Sequence, residues 1–208
     1  MTPSADRFTL VRHGRTDYND AGRLNGDPSV PVALTAEGRA QVEALARRLV
    51  DEPFDMAARS RFPRAAETLG ILLRGRDVPV CVLADLDDVR LGDLEGHPVE
   101  DYRAWRRRYG MDSAPPGGGE SRLDVLARYT RAFQELLDVD ARDLLVVTHD
   151  VPIRFLLNAR EDADPLDGPI TSIPNATPYR LTPHEMAGAV AVMRSRLGSG
   201  WHRPGADH

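Results

Sequence analysis

Short β-rich segments alternate with amphipathic helix patterns along most of this chain, and this alternation restricts the possible folds strongly. Arg7–Val11 has the apolar character of a strand, and Leu34–Val50 reads as a helix that Thr35 can cap. Further short apolar or β-rich runs are Phe54–Ala58, Val78–Leu83, Asp143–Thr148, Ala176–Leu181 and Gly188–Arg194. The alternation predicts an α/β fold with a largely parallel sheet, and the last two runs are interpreted as late strands.

The remaining patterns predict four more helices and one long irregular stretch. The first of these helices follows Pro63, and the second spans Val99–Tyr109. The third starts at a capping box formed by Ser121 and Asp124, and the fourth begins with Val151–Leu157. Leu86–Pro98 is the longest irregular stretch and therefore a candidate functional loop. No linker divides the chain, so we expect a single domain over residues 1–194 and a flexible tail over residues 195–208.

All 27 basic side chains are arginine, and this excludes chemistry that depends on lysine. A lysine Schiff base and an ordinary P-loop are impossible here, so positive charge at any site must come from Arg, His, metal or backbone amides. Arginine binds phosphate or carboxylate through a bidentate fork at any working pH. Most of these arginines are nevertheless expected to be solvated surface residues.

Charge and targeting features narrow the class of protein further. A net charge of -5 argues against nonspecific nucleic-acid binding, which favours a basic surface. With Cys81 as the lone cysteine, no intrachain disulfide can form. No segment has the roughly 18 to 20 apolar residues of a membrane helix, and the first residues lack the pattern of a secretory signal. We therefore expect a cytoplasmic protein without a membrane partner.

Two histidines follow predicted strands, where ligands of open α/β sheets bind. His13 comes after the first strand and is preceded by Arg12 and followed by Gly14, while His149 comes after Asp143–Thr148 and is followed by Asp150. A single histidine at a strand end is usually structural. Two at equivalent places favour a shared site.

The surrounding motifs resemble those of the histidine phosphatase superfamily, in its phosphoglycerate mutase-like branch. Their order along the chain matches over roughly residues 7 to 182, which makes chance agreement very improbable. The matching segments are Leu10–Asn19, Gly22–Gly26 with Leu34–Gly38, Ser60–Thr68, Leu86–Gly96, Gly119–Ser121 and Val146–His149 with Ile153 and Arg154 behind. The resemblance implies a three-layer α/β/α sandwich with a mostly parallel central sheet.

The resemblance also implies a role for each motif residue in the cleavage of a small phosphomonoester. His13 would be the nucleophile and form a phosphohistidine, and Gly14 would leave room for the phosphoryl group. Arg12 and Arg64 would clamp the phosphoryl oxygens, and His149 would add another donor to them. The implied reaction needs no metal and no cofactor, and its partner is a small phosphorylated metabolite.

The general acid departs from the family pattern, because Asp88 stands where most members have glutamate. Its carboxyl group is one methylene shorter, so reaching the leaving oxygen requires a shifted loop or a water. Asp88 is the leading candidate, and Asp150 is the alternative, since a His-Asp pair resembles the acid-phosphatase branch. In a third reading neither residue works well and the enzyme is weak or degenerate.

Other residues near the motifs are weaker candidates for substrate contacts. Thr16 either binds phosphate or caps a helix, and Asn19 and Arg23 are possible substrate contacts. Arg15 and Arg90, with Arg23, could bind a second anionic group. Arg106–Arg108 form either a solvated helix face or part of the substrate entrance.

The compact acid loop favours a phosphatase over a phosphoglycerate mutase-type phosphoryl transferase. Two further classes stay open: a metallohydrolase that uses the histidines and aspartates as ligands, and a noncatalytic phosphate-binding or scaffold protein with a degenerate acid site. The natural substrate and the pathway are not readable from the residues. A homodimer is compatible with them.

Overall fold

The computed structural model of the chain describes residues 6–198, which form a five-stranded sheet between two layers of helices. The strands are β1 (Arg7–Arg12), β2 (Met56–Arg59), β3 (Val80–Val82), β4 (Asp143–Thr148) and β5 (Pro178–Leu181). The helices are α1 (Asp17–Asp20), α2 (Ala36–Arg48), α3 (Pro63–Leu72), α4 (Val99–Arg108), α5 (Arg122–Leu137), α6 (Asp150–Arg160) and α7 (Pro183–Gly198). The predicted three-layer α/β/α sandwich is confirmed.

The sheet has the order β3-β2-β4-β1-β5, and only β5 runs antiparallel to its neighbour. The two central strands, β1 and β4, pair from Arg7 opposite Asp143 to Arg12 opposite Thr148. Their carboxyl ends therefore lie side by side. The backbone N–H of His13 extends the ladder by donating to the Thr148 carbonyl at 3.0 Å.

Side-chain alternation along the strands divides the core into two parts. Leu144 and Val146 of β4 pack with α5, α6 and α7 on one face of the sheet. Leu145 and Val147 point the other way and pack with α2 and α3. Both faces of the central strands are covered, which explains why their sequences are continuously apolar rather than alternating with polar residues.

The helix starts agree with the capping signals in the sequence. Thr35 accepts a hydrogen bond from the Gly38 N–H at the start of α2, and Pro63 occupies the first turn of α3. Ser121 and Asp124 form the predicted capping box of α5. The long segment Leu86–Pro98 begins at the last residue of one 3-10 turn and contains another at Gly92–Leu94. The rest of the segment is irregular.

The prediction of a strand over Gly188–Arg194 is wrong, because this segment lies within α7. The buried residues of α7 are Met186, Ala189, Val190 and Met193, and this spacing places them on one face of the helix. That face packs against α5 and α6, so tertiary packing outweighs the β-branched character of the run. The tail that we expected from residue 195 begins inside this helix, and residues 199–208 lie outside the described residues.

Gly14 serves close packing at the end of β1. A Cβ atom there would come within 2.7 Å of the Gly38 carbonyl oxygen and of a Val42 methyl group. Gly38 in turn would place a Cβ 2.0 Å from the Arg15 carbonyl. The glycines let the chain after β1 lie against the start of α2. The role of Gly14 in making room for a phosphoryl group stays a prediction.

Candidate active site

His13 lies at the centre of the candidate site, just beyond the carboxyl end of β1. Its Nδ1 lies 2.8 Å from the Gly14 carbonyl oxygen, which can only accept a hydrogen bond. The proton therefore resides on Nδ1, and Nε2 carries a lone pair. Burial, together with the charges of Arg64 and Arg12, holds the pKa of His13 well below its usual value. The ring is thus neutral, and Nε2 is the basic, nucleophilic nitrogen.

Arg64 connects His13 with the acid loop. Its Nε donates to His13 Nε2 at 3.1 Å, and one of its Nη atoms donates to Asp88 Oδ2 at 3.1 Å. The guanidinium also donates to the side-chain and backbone oxygens of Asn25 and stacks over the Phe62 ring. The side chain is only 4% exposed, and burial lowers its pKa, although it remains a permanent cation. Such a buried guanidinium next to Nε2 is suited to bind an oxyanion.

Arg12 and Asp150 lie on the opposite side of the site. The Arg12 guanidinium donates to the Ile173 carbonyl and lies 3.5 Å from Asp150 Oδ2. Asp150 also accepts from the Ile173 N–H at 2.8 Å and has Arg154 at 3.7 Å. Two guanidiniums and a backbone donor therefore contact this carboxylate. Among the residues that the structure describes, Arg12 Nε is buried without a hydrogen-bond partner.

His149 is fully buried beside His13, with ring centroids 5.3 Å apart. Its Nε2 lies 2.8 Å from Ser60 Oγ. Its Nδ1 lies 3.5 Å from Asp88 Oδ2 and has no hydrogen-bond partner among residues 6–198. Burial and the charges of Arg64, His13 and Arg12 hold the pKa of His149 well below its usual value. The ring is therefore neutral and can offer only one N–H.

Asp88 reaches the site despite its short side chain. Oδ2 contacts Arg64 and approaches His149 Nδ1, while Oδ1 accepts from the Val89 N–H at 2.9 Å. Burial raises the pKa of this carboxyl, and the charge of Asp150 also raises it, against the opposing effects of Arg64 and Arg12. A carboxyl with a raised pKa that contacts Arg64 and lies near His149 has the property required of a proton donor.

The acid loop is held by a buried arginine that the sequence did not single out. Arg128 of α5 donates to the backbone carbonyls of Asp85, Asp87 and Asp88 at 3.1, 2.8 and 3.1 Å. Its guanidinium also makes two hydrogen bonds to Glu120, at 2.8 and 2.7 Å. Burial lowers the pKa of Arg128, but Tyr129 and the ion pair with Glu120 outweigh this effect and raise the pKa above its already high value. Arg128 therefore fixes the backbone from which the Asp88 side chain projects.

Asn25 is a second residue that sequence reasoning passed over. Its side-chain and backbone oxygens accept from Arg64, and its amide donates to Glu95 at 3.0 Å. Glu95 also accepts from the Gly26 N–H at 2.7 Å. The segment therefore links the guanidinium to the far end of the acid loop. The sequence feature that could have identified Asn25 was its position inside a matched motif.

The weaker substrate candidates are divided by the structure. Thr16 caps α1 and accepts from the Asn19 N–H at 3.1 Å, while the Asn19 side chain accepts from the Thr16 N–H. Asn175 links this cap to the site, because its amide donates to the His13 carbonyl at 2.9 Å. Arg23 is exposed and donates to the Gly96 carbonyl, so it lies at the end of the acid loop rather than next to His13.

Of two cavities in the described part of the chain, one borders the acid loop and the other lies against α4 and α5. One of about 500 Å³ is lined by Asp88 together with Gly26, Arg61 and Leu91. The other, of about 460 Å³, is lined by arginines of α4 and α5: Arg103, Arg106, Arg107 and Arg122. Arg106 and Arg107 therefore line a cavity, although whether the substrate enters there stays a prediction.

Two properties of residues 6–198 concern the possibilities of a metallohydrolase and of a membrane protein. No three or more His, Cys, Asp or Glu side chains in this range are grouped so that they could hold a metal ion. None of the helices described has the length and apolar character needed to cross a membrane.

Comparison with known proteins identifies the group to which this geometry belongs. The model of the histidine phosphatase superfamily (branch 1) matches residues 8–195. An adenosylcobalamin/alpha-ribazole phosphatase of Salmonella typhimurium is 34% identical over 161 residues, which are 73% of this chain and 77% of the relative. A 2,3-bisphosphoglycerate-dependent phosphoglycerate mutase 2 of Gloeobacter violaceus is 33% identical over 76% of this chain and 77% of its own length.

A solved structure agrees with both the fold and the family. The alpha-ribazole phosphatase of Shigella flexneri superposes with a TM-score of 0.74 at 26% identity, covering 84% of this chain and 89% of that one. The strand order, the paired histidines and these relatives point to one conclusion. The chain belongs to the histidine phosphatase superfamily and is an enzyme of the phosphoric monoester hydrolase type.

Proposed function

We propose that this protein hydrolyses a small phosphomonoester through a phosphohistidine on His13, without a metal. The observation that carries the proposal is the tautomer of His13. The Gly14 carbonyl holds the proton on Nδ1, so the Nε2 lone pair accepts from Arg64, which also binds Asp88, and the His149 ring lies alongside. An unprotonated imidazole nitrogen surrounded by cationic and neutral donors is suited to attack phosphorus while the oxygens of the phosphoryl group are stabilised.

In the first step, Nε2 forms a bond to phosphorus as the bond from phosphorus to the leaving oxygen breaks. Asp88 gives its proton to that oxygen, which departs as an alcohol. In the second step, a water attacks the phosphohistidine and gives a proton to the Asp88 carboxylate. Phosphate leaves and His13 regains its lone pair, so both groups return to their starting states.

The clamp in this mechanism consists of Arg64, Arg12 and His149. In the free protein Arg64 donates to His13 Nε2 and to Asp88, so a bound phosphoryl group takes over these N–H donors. The same exchange separates Asp88 from its cation. A dianion nearby then favours the protonated carboxyl, which is the form that the first step consumes.

Asp88 is favoured over Asp150 as the acid by its surroundings. Asp88 lies 3.5 Å from His149 Nδ1 and has a raised pKa. Asp150 instead contacts Arg12, Arg154 and the Ile173 N–H, and these contacts suit it to orient Arg12. We therefore assign proton donation to Asp88 and guanidinium orientation to Asp150.

The substrate class is a small phosphorylated metabolite. The proteins that this chain resembles carry names that refer to alpha-ribazole phosphate, phosphoglycerate and, in a mycobacterial structure with 28% identity and a TM-score of 0.67, glucosyl-3-phosphoglycerate. A panel of sugar phosphates, phosphoglycerates and nucleoside-related phosphates is the appropriate screen. The highest kcat/KM in that panel identifies the class.

Rapid quenching in alkaline detergent tests the nucleophile. Incubation with a ³²P-labelled phosphomonoester and denaturation after milliseconds is expected to trap a protein-bound phosphoryl group. A bond from phosphorus to imidazole nitrogen is stable in base and labile in acid. The label should map to the peptide that contains His13 and be absent from His13→Ala. An adduct that persists in His13→Ala contradicts the proposal.

Phosphoglycerate mutase-type transfer is the second candidate, favoured by the similarity to the mutases. Both reactions share the phosphohistidine and differ in whether water or a second substrate takes the phosphoryl group. Incubation with 3-phosphoglycerate and 2,3-bisphosphoglycerate distinguishes them. Formation of 2-phosphoglycerate faster than free phosphate would identify a mutase.

Two controls address the other classes. Activity that survives dialysis against a strong chelator excludes a metallohydrolase. Binding of phosphate with no turnover of any panel member would support a noncatalytic phosphate-binding protein.

A further inference from the structure

Ser60 is a buried hydroxyl that the mechanism above does not use. It lies directly after β2 and is 0% exposed. Its Oγ makes one side-chain contact, to His149 Nε2 at 2.8 Å. Its backbone is fixed independently, because the N–H donates to the Val147 carbonyl at 3.3 Å and the carbonyl accepts from Arg59 at 2.8 Å.

The direction of this hydrogen bond follows from the needs of the hydroxyl. A serine hydroxyl has one proton, and a buried hydroxyl without a partner for it costs free energy. Within residues 6–198 the acceptor that Ser60 Oγ can reach is His149 Nε2. The proton therefore points to Nε2, and Nε2 must be the unprotonated nitrogen of the ring. A neutral imidazole then carries its hydrogen on Nδ1.

The other side of the ring is consistent with this assignment. His149 Nδ1 is buried, has no hydrogen-bond partner in the described part of the chain, and lies 3.5 Å from Asp88 Oδ2. A hydrogen on Nδ1 therefore points towards the place where a phosphoryl oxygen would bind, between Asp88 and Arg64. A hydrogen on Nε2 instead would leave Nδ1 as an acceptor there, and its lone pair would repel an oxyanion.

We propose that Ser60 is a positioning residue that selects the Nδ1–H tautomer of His149, and so makes this histidine a donor towards the phosphoryl oxygens. Ser60 itself touches neither substrate nor reacting atoms. The consequence for catalysis rests on the proposed function, whereas the tautomer is a property of the free protein. The phenyl ring of Phe62, edge-on to His149 with centroids 4.7 Å apart, holds the plane of the ring but offers no acceptor.

Nuclear magnetic resonance of the free protein tests the tautomer directly. With ¹⁵N-labelled histidine, long-range ¹H–¹⁵N correlations distinguish a protonated from an unprotonated ring nitrogen, and His149→Asn identifies the signals. Wild-type protein is expected to show a protonated Nδ1 and an unprotonated Nε2 at His149. A protonated Nε2 in the wild type overturns the proposal, whatever the activity.

Ser60→Ala and Ser60→Thr test the role of the hydroxyl. Ser60→Ala should shift His149 towards the Nε2–H tautomer and lower kcat about 10- to 100-fold. Ser60→Thr retains the hydroxyl and should retain the Nδ1–H tautomer. An unchanged tautomer in Ser60→Ala overturns the proposal. A changed tautomer with unchanged kcat would leave the tautomer assignment standing and remove His149 from the proposed clamp.

A double-mutant cycle separates tautomer selection from packing. The side-chain amide of asparagine places an N–H near the position of Nδ1 and has no second tautomer, so it has no need for Ser60. In His149→Asn, the further change Ser60→Ala should lower kcat by less than about threefold, against the larger loss in the wild-type background. Equal losses in both backgrounds would show that Ser60 acts through packing and would overturn the proposal.

Discussion

The phosphate clamp and the acid loop, Leu86–Pro98, meet at one site but are built in different ways. His13 and His149 directly follow two central parallel strands, so the backbone ladder sets their positions. Asp88 lies on irregular backbone and is positioned by side chains from distant segments. Arg128 donates to the backbone carbonyls of Asp85, Asp87 and Asp88 at the start of the loop. Arg64 binds the Asp88 carboxylate itself.

This difference indicates which substitutions should damage each half of the site. Arg12 and His149 of the clamp depend on strand pairing that is buried on both faces of the sheet, and changes there act on phosphate binding with every substrate. The loop depends on side chains such as Arg128, Arg64 and Arg61, and changes there move the proposed proton donor, whose importance varies with the leaving group. The dependence on the leaving group therefore distinguishes damage to the two halves.

The largest effect is expected from Asp88→Asn on substrates with poor leaving groups. Loss of the proton donor should lower kcat/KM for an alkyl phosphate by about 10²- to 10⁴-fold, and have little effect on an aryl phosphate, whose oxygen leaves without a proton. Steady-state kinetics with both substrates measures the ratio. Asp150→Asn is the matched control. If it shows this ratio and Asp88→Asn does not, the acid has been assigned to the wrong residue.

Arg64→Ala should damage both substrates equally. Removing a donor of the clamp is expected to lower kcat by about 10²- to 10³-fold for alkyl and aryl phosphates alike. Vanadate or phosphate inhibition should weaken in parallel, measured as an increase in Ki. Arg61→Ala is the control, because Arg61 is half-exposed and pairs with Asp87 rather than with the site. A loss confined to alkyl phosphates would place Arg64 in the acid half.

A smaller effect is expected from Arg128→Lys. Lysine keeps the charge opposite Glu120 but lacks the fork that reaches three carbonyls, so Asp88 should be displaced. We expect a loss of about 10- to 100-fold with alkyl phosphates and less with aryl phosphates. Arg131→Lys is the control, since Arg131 pairs with Asp85 of the same region from the same helix but is 64% exposed. Equal losses on both substrates would show that the loop also supports the clamp.

The smallest effect concerns the pH profile. Because the pKa of His13 is lowered from 6.5, the nucleophile stays neutral below that pH, and the acid limb of kcat/KM should lie below 6.5. Because the pKa of Asp88 is raised, its acid form persists above 3.8 and is lost as the pH rises. With an alkyl phosphate, the basic limb should disappear in Asp88→Asn, beyond what the ionisation of the substrate produces in both enzymes.

Much of the fold was predictable because its signals are local. Strand and helix patterns, Thr35, Pro63 and the Ser121 capping box placed the elements correctly, and the carboxyl ends of β1 and β4 marked the site. The error over Gly188–Arg194 has the opposite origin. Its apolar run is compatible with both periods, and only packing of α7 against α5 and α6 selects the helix.

The site residues also differ in how far the sequence could predict them. Residues inside motifs were identifiable, but Arg128 lies outside them and its contacts join positions more than forty residues apart in sequence. Ser60 lies in a motif, yet its relation to His149 depends on the neighbouring ends of β2 and β4. No local pattern encodes which distant carbonyl or ring nitrogen a side chain meets.

The amino-acid sequence by itself determined the family, the sheet that forms the site, and the residue types that meet there, because those depend on periodicity and on motifs short enough to read along the chain. The tertiary structure decided which aspartate contacts Arg64, which arginine supports the acid loop, and which hydroxyl faces His149. These are distances across the fold, and burial then sets the protonation of the groups that they bring together.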